Sequence, residues 1–308
     1  MSGGNGSICT LQALKPYADQ YEISAVVSMS DSGGSSGKLR EEFETLPPGD
    51  LLRALLALSA YDFETVKKIF YSTRFSDCGP LTDHNLGNIF LTLAHEYADD
   101  YLAGVRAIEQ ALATVGHVYP ATLDRTHLVA ELSTGEIIRT EGAIDRPTYD
   151  RAKKIKNVWL DPGGAATNEA RQAILSADTI IIGPGSLYCS IVATLLPTGV
   201  KEAVGESKGK LILVVAHGYE TDGETGPETI SGYVEAVERF LPRPADTIVT
   251  NDVILNDAQR QSYREKKWAP FVRDIEKMGE REIVSAPYET REGGLSSPLL
   301  GELLQKII

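Results

Sequence analysis

Short β-branched runs, each giving way to a glycine turn and then an amphipathic helix, most restrict the folds open to this chain. Strand candidates are Ile23–Val27, Thr179–Ile182, Leu211–Val215 and Thr247–Thr250, with Val158–Leu160 weaker. Helix candidates with 3.6-residue periodicity are Leu51–Ala60, Leu86–Tyr97, Val105–Val115, Glu169–Ser176, Leu187–Leu196 and Ser231–Phe240. Strand, glycine turn, helix is the unit of a parallel sheet covered by helices. Ser297–Ile308 reads as a closing helix.

Two stretches break the rhythm. Val118–Leu123, His127–Leu132 and Glu136–Thr140 lie close together, with a Ser-Thr-Gly turn at 133–135. They predict an antiparallel meander inserted beside the main sheet, around residues 117–150. The start is also unusual. Ser2 to Ser7 is a Gly-rich loop leading into an apolar helix (Ile8, Leu11, Leu14), yet no strand precedes it. Either this is a flexible terminus or a strand belongs upstream; the second reading is favoured.

With 308 residues and 42% hydrophobic content, the chain can bury a large core. It is read as a single domain over residues 1–308. The net charge of −13 argues against a nucleic-acid surface, which needs clustered positive charge, but leaves room for a local basic pocket. The cysteines, Cys9, Cys78 and Cys189, are odd in number and lack CxxC spacing, so a disulfide framework and a zinc site are not expected. No apolar run is long enough to span a bilayer, and no signal-peptide pattern is visible. A cytoplasmic protein with no membrane partner is expected.

Four glycine-containing loops stand at strand ends or helix starts: Gly3 to Ser7, "SMSDSGGSSGKLR" (Ser28 to Arg40), "TDHNLGN" (Thr82 to Asn88) and "GPGSLYCS" (Gly183 to Ser190). Helix N-termini present unpaired N–H groups and partial positive charge, which suits phosphate. Strand carboxyl ends share one edge of a parallel sheet, so these loops are expected to meet there. Asp31 ends the first strand and Asp50 begins a helix. They are a turn former and a helix N-cap, or together the ligands of a divalent metal facing a diphosphate. His84 is structural or part of the site. Lys38, Arg40 and Arg53 are phosphate clamps or surface charges. "HGYETDGET", starting at His217, is a lid or a surface connection.

"SMSDSGGSSGKLREEFETLPPGDLLRALLALS", "LTDHNLGNIFL", "ADTIIIGPGSLYCSIVATLLPTGV" and "HGYETDGET" together resemble the gluconeogenesis-factor (YvcK-like) family. That family shares a superfamily with 2-phospho-L-lactate transferase, the CofD-like proteins. The resemblance covers nearly the whole chain, in order. It implies a Rossmann-like three-layer α/β/α fold, with a mainly parallel sheet and a small antiparallel insertion. For the bacterial factors it implies nucleotide-sugar binding and a role in carbon metabolism, cell-wall synthesis and cell shape. For the transferases it implies a nucleotide diphosphate donor and Mg²⁺ held by aspartates, whose positions Asp31 and Asp50 match. On the loops that carry the resemblance, the expected nucleotide- or phosphate-binding residues are Gly4, Asn5, Gly6, Ser30, Gly33, Gly34, Ser35, Lys38, Arg40, His84, Asn85, Asn88, Gly183, Gly185, Ser186 and Tyr188.

Two departures stand out. The family has "DD" where this chain has Asp31-Ser32, and a strand before its first glycine loop. The first weakens a metal-dependent reaction; the second fits an upstream strand. A regulatory nucleotide-sugar binder is therefore the leading reading and a Mg²⁺-dependent transferase the alternative. The transferase would need a flat acceptor slot, for which Trp159, Trp268 and Tyr188 are the candidates. The base, the sugar and the oligomeric state, a homodimer included, stay open.

Overall fold

The computed structural model describes residues 1–98 and 100–308, with the side chains of Asn5, Tyr97 and Ala98 outside the described set. From the N-terminus come α1 (Gly4–Leu14), β1 (Ile23–Val27), α2 (Gly34–Glu42), α3 (Gly49–Leu58) and α4 (Phe63–Lys67). Next are α5 (Leu86–Ala98), α6 (Tyr101–Ala111), β2 (Gly116–Pro120), β3 (His127–Leu132), β4 (Ile137–Arg139), α7 (Glu141–Asp145) and β5 (Ile155–Asp161). The second half holds α8 (Asn168–Ser176), β6 (Thr179–Ile182), α9 (Ala193–Leu195), α10 (Val200–Glu206), β7 (Lys210–Val214) and β8 (Gly218–Glu220). It ends with α11 (Ile230–Glu238), β9 (Thr247–Asn251), α12 (Asp257–Glu265), β10 (Trp268–Pro270), β11 (Glu282–Ala286) and α13 (Ser297–Leu304).

The main sheet is parallel, in the order β11-β9-β7-β6. A second parallel pair joins β1 to β2, with Ile23 opposite Gly116. The first residues of the chain lie between these two sheets. The Met1 amine donates to Ile181 O at 2.6 Å, and Gly183 N–H donates to Met1 O at 3.1 Å. On the other side Ser2 N–H donates to Val26 O at 3.3 Å. The residues expected to form a loop before an apolar helix thus continue the hydrogen bonding of both sheets, and the helix begins at Gly4.

Leu211 to Val214 on β7 and Thr247 to Thr250 on β9 are buried, as expected for strands covered on both faces. α3 is apolar almost all round. Nine of its ten residues are buried, and Arg53 is the exception. Such a helix is held from every side, so the Asp50 and Arg53 it carries have fixed backbones.

The antiparallel sheet is β4-β3-β5, and its membership corrects the expected meander. Val118 and its neighbours are not part of it; they pair parallel with β1. The cause is the crossover helix: α6 returns the chain over the sheet, and Val118 is fully buried beneath it. The third antiparallel strand is β5, where Leu128 lies opposite Leu160 and Ala130 opposite Val158. The weak strand candidate at 158–160 therefore belongs to this small sheet.

Candidate functional site

The glycine loops converge on a cavity of about 740 Å³ at the carboxyl ends of the parallel strands. Gly4, Gly6, Asp31, Gly33, Gly34, Ser35, Asp50, Asn88, Gly185 and Ser186, all expected at the site, line it. Close backbone approach explains some of these glycines. A Cβ on Gly6 would run into the backbone of Pro184 and Gly185, and one on Gly49 would sit 2.5 Å from both Asp31 Oδ2 and Ser36 Oγ. The loop read as "SMSDSGGSSGKLR" is loop only to Gly33. Asp31 Oδ1 accepts from Gly33 N–H at 2.9 Å, and α2 starts at the next residue.

Other expected residues stand behind the wall. Arg40 is buried and acts as a brace: its guanidinium donates to Ser30 O at 3.3 Å, Asp31 O at 3.1 Å and Thr126 O at 2.6 Å. Lys38 pairs at the surface with Asp83, 3.3 Å away. His84 is buried against Ser35, its Nδ1 2.9 Å from Ser35 Oγ. Asn85 Oδ1 accepts from Asn88 N–H at 2.8 Å and so caps α5. Gly183 O accepts from the Thr10 hydroxyl at 2.9 Å. Tyr188 is buried, its hydroxyl 3.4 Å from Ile155 O, and Ser30 is buried as well. The side chain of Asn5 lies outside the described residues. Of the three aromatic candidates for an acceptor slot, Trp268 lines the cavity, beside His217, Tyr219 and Phe271.

The electrostatics are dominated by acids. Asp50 pairs with Arg53 at 2.5 Å; burial pushes its carboxyl up to about 6 against the pull of Arg53, and Asp31 adds to the push. Arg53 is not a free clamp. Its Nε and Nη2 reach Tyr71 Oη at 2.8 and 2.6 Å. Glu141, at the start of α7, accepts from Ser32 N–H at 3.2 Å. Burial pushes Glu141 up to about 8, and Asp31, Asp145 and Asp50 add to it. Its ligand atom, that of Asp145 and that of Cys189 lie within 4.8 Å of one another.

Glu224, within "HGYETDGET", was not anticipated. Its carboxylate accepts from the backbone N–H groups of Leu187, Tyr188 (3.0 Å) and Cys189 (3.0 Å), where the "GPGS" loop enters a π-wound turn. These are donors that the sequence assigned to phosphate. Burial pushes Glu224 up to about 7, against those N–H groups. The one signal in the sequence was an acid in a glycine-rich loop following a strand. Glu141 had no such signal, because it comes from the insertion, far along the chain.

An open parallel sheet with crossover helices, a small antiparallel sheet and a polar cavity at its carboxyl edge define a Rossmann-like α/β protein. Comparison with known proteins narrows this. The CofD family, described as 2-phospho-L-lactate transferase CofD, matches residues 1–288, and the chain belongs to that family. It is similar to a Thermotoga maritima protein provisionally named gluconeogenesis factor: 36% identity over 288 residues, 94% of this chain and 88% of the relative. The Bacillus subtilis gluconeogenesis factor is 34% identical over 278 residues, 90% of this chain and 85% of the relative. A crystal structure of a UPF0052-family protein from Bacillus halodurans superposes with a TM-score of 0.89 at 30% identity, covering 99% of this chain and 96% of that one. No helix among the described residues is long and apolar enough to cross a membrane.

Proposed function

We propose that this chain binds a nucleotide-sugar, of the UDP-sugar kind, in the cavity and acts as a regulator of carbon metabolism, cell-wall synthesis and cell shape, like the factors it resembles. The observation that carries the reading is the convergence of α1, α2, α3 and α5 on one cavity through their first turns, at Gly4, Ser35, Asp50 and Asn88. Four helix starts favour an anionic group among them. The volume of about 740 Å³ exceeds what a diphosphate alone would fill.

A second reading, a Mg²⁺-dependent transfer from a nucleotide diphosphate, is favoured by one feature. Asp31, Asp50, Glu141 and Asp145 line the cavity with Arg53, Arg74 and Arg146 as its cations, and Arg53 is already engaged by Asp50 and Tyr71. Glu141 stands beside Ser32, where the family's second acid is missing. The carboxylates of Glu141 and Asp145, which come together in this cavity, are oxygen donors of the kind that would hold a hard divalent cation, and Asp31 and Asp50 line the same cavity. Thermal-shift and calorimetric titration with UDP-, GDP- and NAD-type ligands, with and without Mg²⁺, tests both readings. A UDP-sugar that raises the melting temperature without turnover supports the regulator. A strict Mg²⁺ requirement with release of nucleotide supports the transferase. No shift with any ligand refutes both.

A further inference from the structure

Where the first turns of α2 and α5 meet, the cavity wall carries a polar group whose valences do not suit phosphate. Asn88 Nδ2 donates to Ser35 Oγ at 3.1 Å, and His84 Nδ1 lies 2.9 Å from the same oxygen. All three residues are buried, and Ser35 and Asn88 line the cavity. Asn88, only 2% exposed, keeps its Oδ1 without a hydrogen-bond partner among the described residues. Buried acceptors left in this state are uncommon and call for a missing partner.

The chemistry of that partner follows from the valences. A hydroxyl oxygen can accept two hydrogen bonds and donate one. Asn88 fills one acceptor site on Ser35. If His84 Nδ1 carries a proton it fills the other, and the Ser35 proton is left for the cavity. If Nδ1 is bare, Ser35 donates to it and keeps one lone pair for the cavity. Either way Ser35 retains one free valence beside Asn88 Oδ1, which can only accept. A fully ionised phosphate oxygen has no proton to give Asn88. A sugar hydroxyl has the proton that Asn88 Oδ1 needs in both cases, and when His84 Nδ1 carries its proton the same hydroxyl also accepts from Ser35.

We propose that the side chains of Ser35 and Asn88 read a sugar hydroxyl of the ligand, ribose or hexose, and leave its phosphate to the backbone N–H groups of the helix starts. His84, behind Ser35 and away from the cavity, is a positioning residue for that hydroxyl. The inference rests on the nucleotide-sugar reading above and deepens it by assigning the polyhydroxy part of the ligand to the α2/α5 wall.

Isothermal titration of the full chain with UDP-glucose, UDP, 2′-deoxyuridine diphosphate and inorganic pyrophosphate tests it, using wild type, Asn88→Leu and Ser35→Ala. Leu keeps the Asn88 shape without the unpartnered oxygen; if that variant does not fold, as judged by its melt, Ser35→Ala carries the comparison. The expected result is about a tenfold loss of UDP-glucose affinity, the size of one hydrogen bond, with pyrophosphate affinity unchanged. Losing the preference for UDP over its deoxy analogue assigns the ribose; losing the preference for UDP-glucose over UDP assigns the hexose. An equal loss for pyrophosphate would mean that the wall holds phosphate and would overturn the inference. So would unchanged UDP-glucose binding in the variants. If wild type binds no sugar nucleotide at all, the functional reading falls and takes this inference with it.

Discussion

Replacing Glu141 by Gln should flatten the fall of stability with rising pH. Glu141 titrates near 4.5 when unfolded and is pushed up to about 8 in the fold, by burial first and by Asp31 next. An acid whose folded value is raised contributes stability below its unfolded value and loses it as pH rises through the folded one. Between pH 4.5 and 8 the folded protein therefore holds a proton that the unfolded chain has released. The slope approaches ~1.4 kcal/mol per pH unit, so the full shift has a ceiling of about 5 kcal/mol. Glu141 keeps partial access to the cavity, and solvent screening reduces this to about 2–3 kcal/mol. The Met1 amine, lowered to about 5, titrates with the opposite sign, and Glu224 with the same sign; both are common to the two proteins and cancel in the difference. Urea unfolding of wild type and Glu141→Gln at pH 5, 6.5 and 8 gives that difference directly. The variant is expected to lose at most about 1 kcal/mol at pH 5, since Gln can still accept from Ser32 N–H, and to gain on wild type toward pH 8. Parallel stability curves would refute the reasoning, because they would mean that Glu141 is ionised at no cost in the fold.

The same geometry sets further expectations. Arg40→Met leaves three carbonyls without their charged donor and should destabilise by about 2–4 kcal/mol, with faster amide exchange over Ser28–Gly33 as its local sign. Melts and hydrogen exchange check this, and unchanged exchange there would refute the brace. Gly6→Ala should cost about 2 kcal/mol or more, since its Cβ meets the Pro184 backbone and neither segment can give way cheaply; a urea midpoint equal to wild type would contradict this. Glu224→Gln keeps one acceptor for the Leu187–Cys189 N–H groups and removes a carboxylate raised to about 7, so it should be near neutral at pH 6 and stabilising by about 1 kcal/mol at pH 8, read by melting temperature at both values.

What the sequence disclosed was local, and what it hid was contact between distant segments. β1, β6, β7 and β9 were legible because each is a compact apolar run rich in β-branched residues, and β7 and β9 are buried on both faces as well. The loops were legible because glycine marks places of close approach, to backbone at Gly6 and to the Asp31 and Ser36 side chains at Gly49. Val118 was assigned to the wrong kind of sheet because a run of six residues does not say whether its partner is parallel; the crossover through α6 decides that. Arg40 and Arg53 read equally as phosphate clamps or surface charges, since position beside a glycine loop cannot tell a cation aimed at the cavity from one bound to loop carbonyls or to Asp50 and Tyr71. Glu224 is the most instructive case. A helix start rich in small residues reads as an anion cradle, and the structure agrees that it holds an anion, but a carboxylate supplied 36 residues later in the chain takes the N–H of Tyr188. Partial positive charge at a helix start selects the sign of its partner and not its source, so a phosphate and a distant Glu leave the same trace in the loop's own residues.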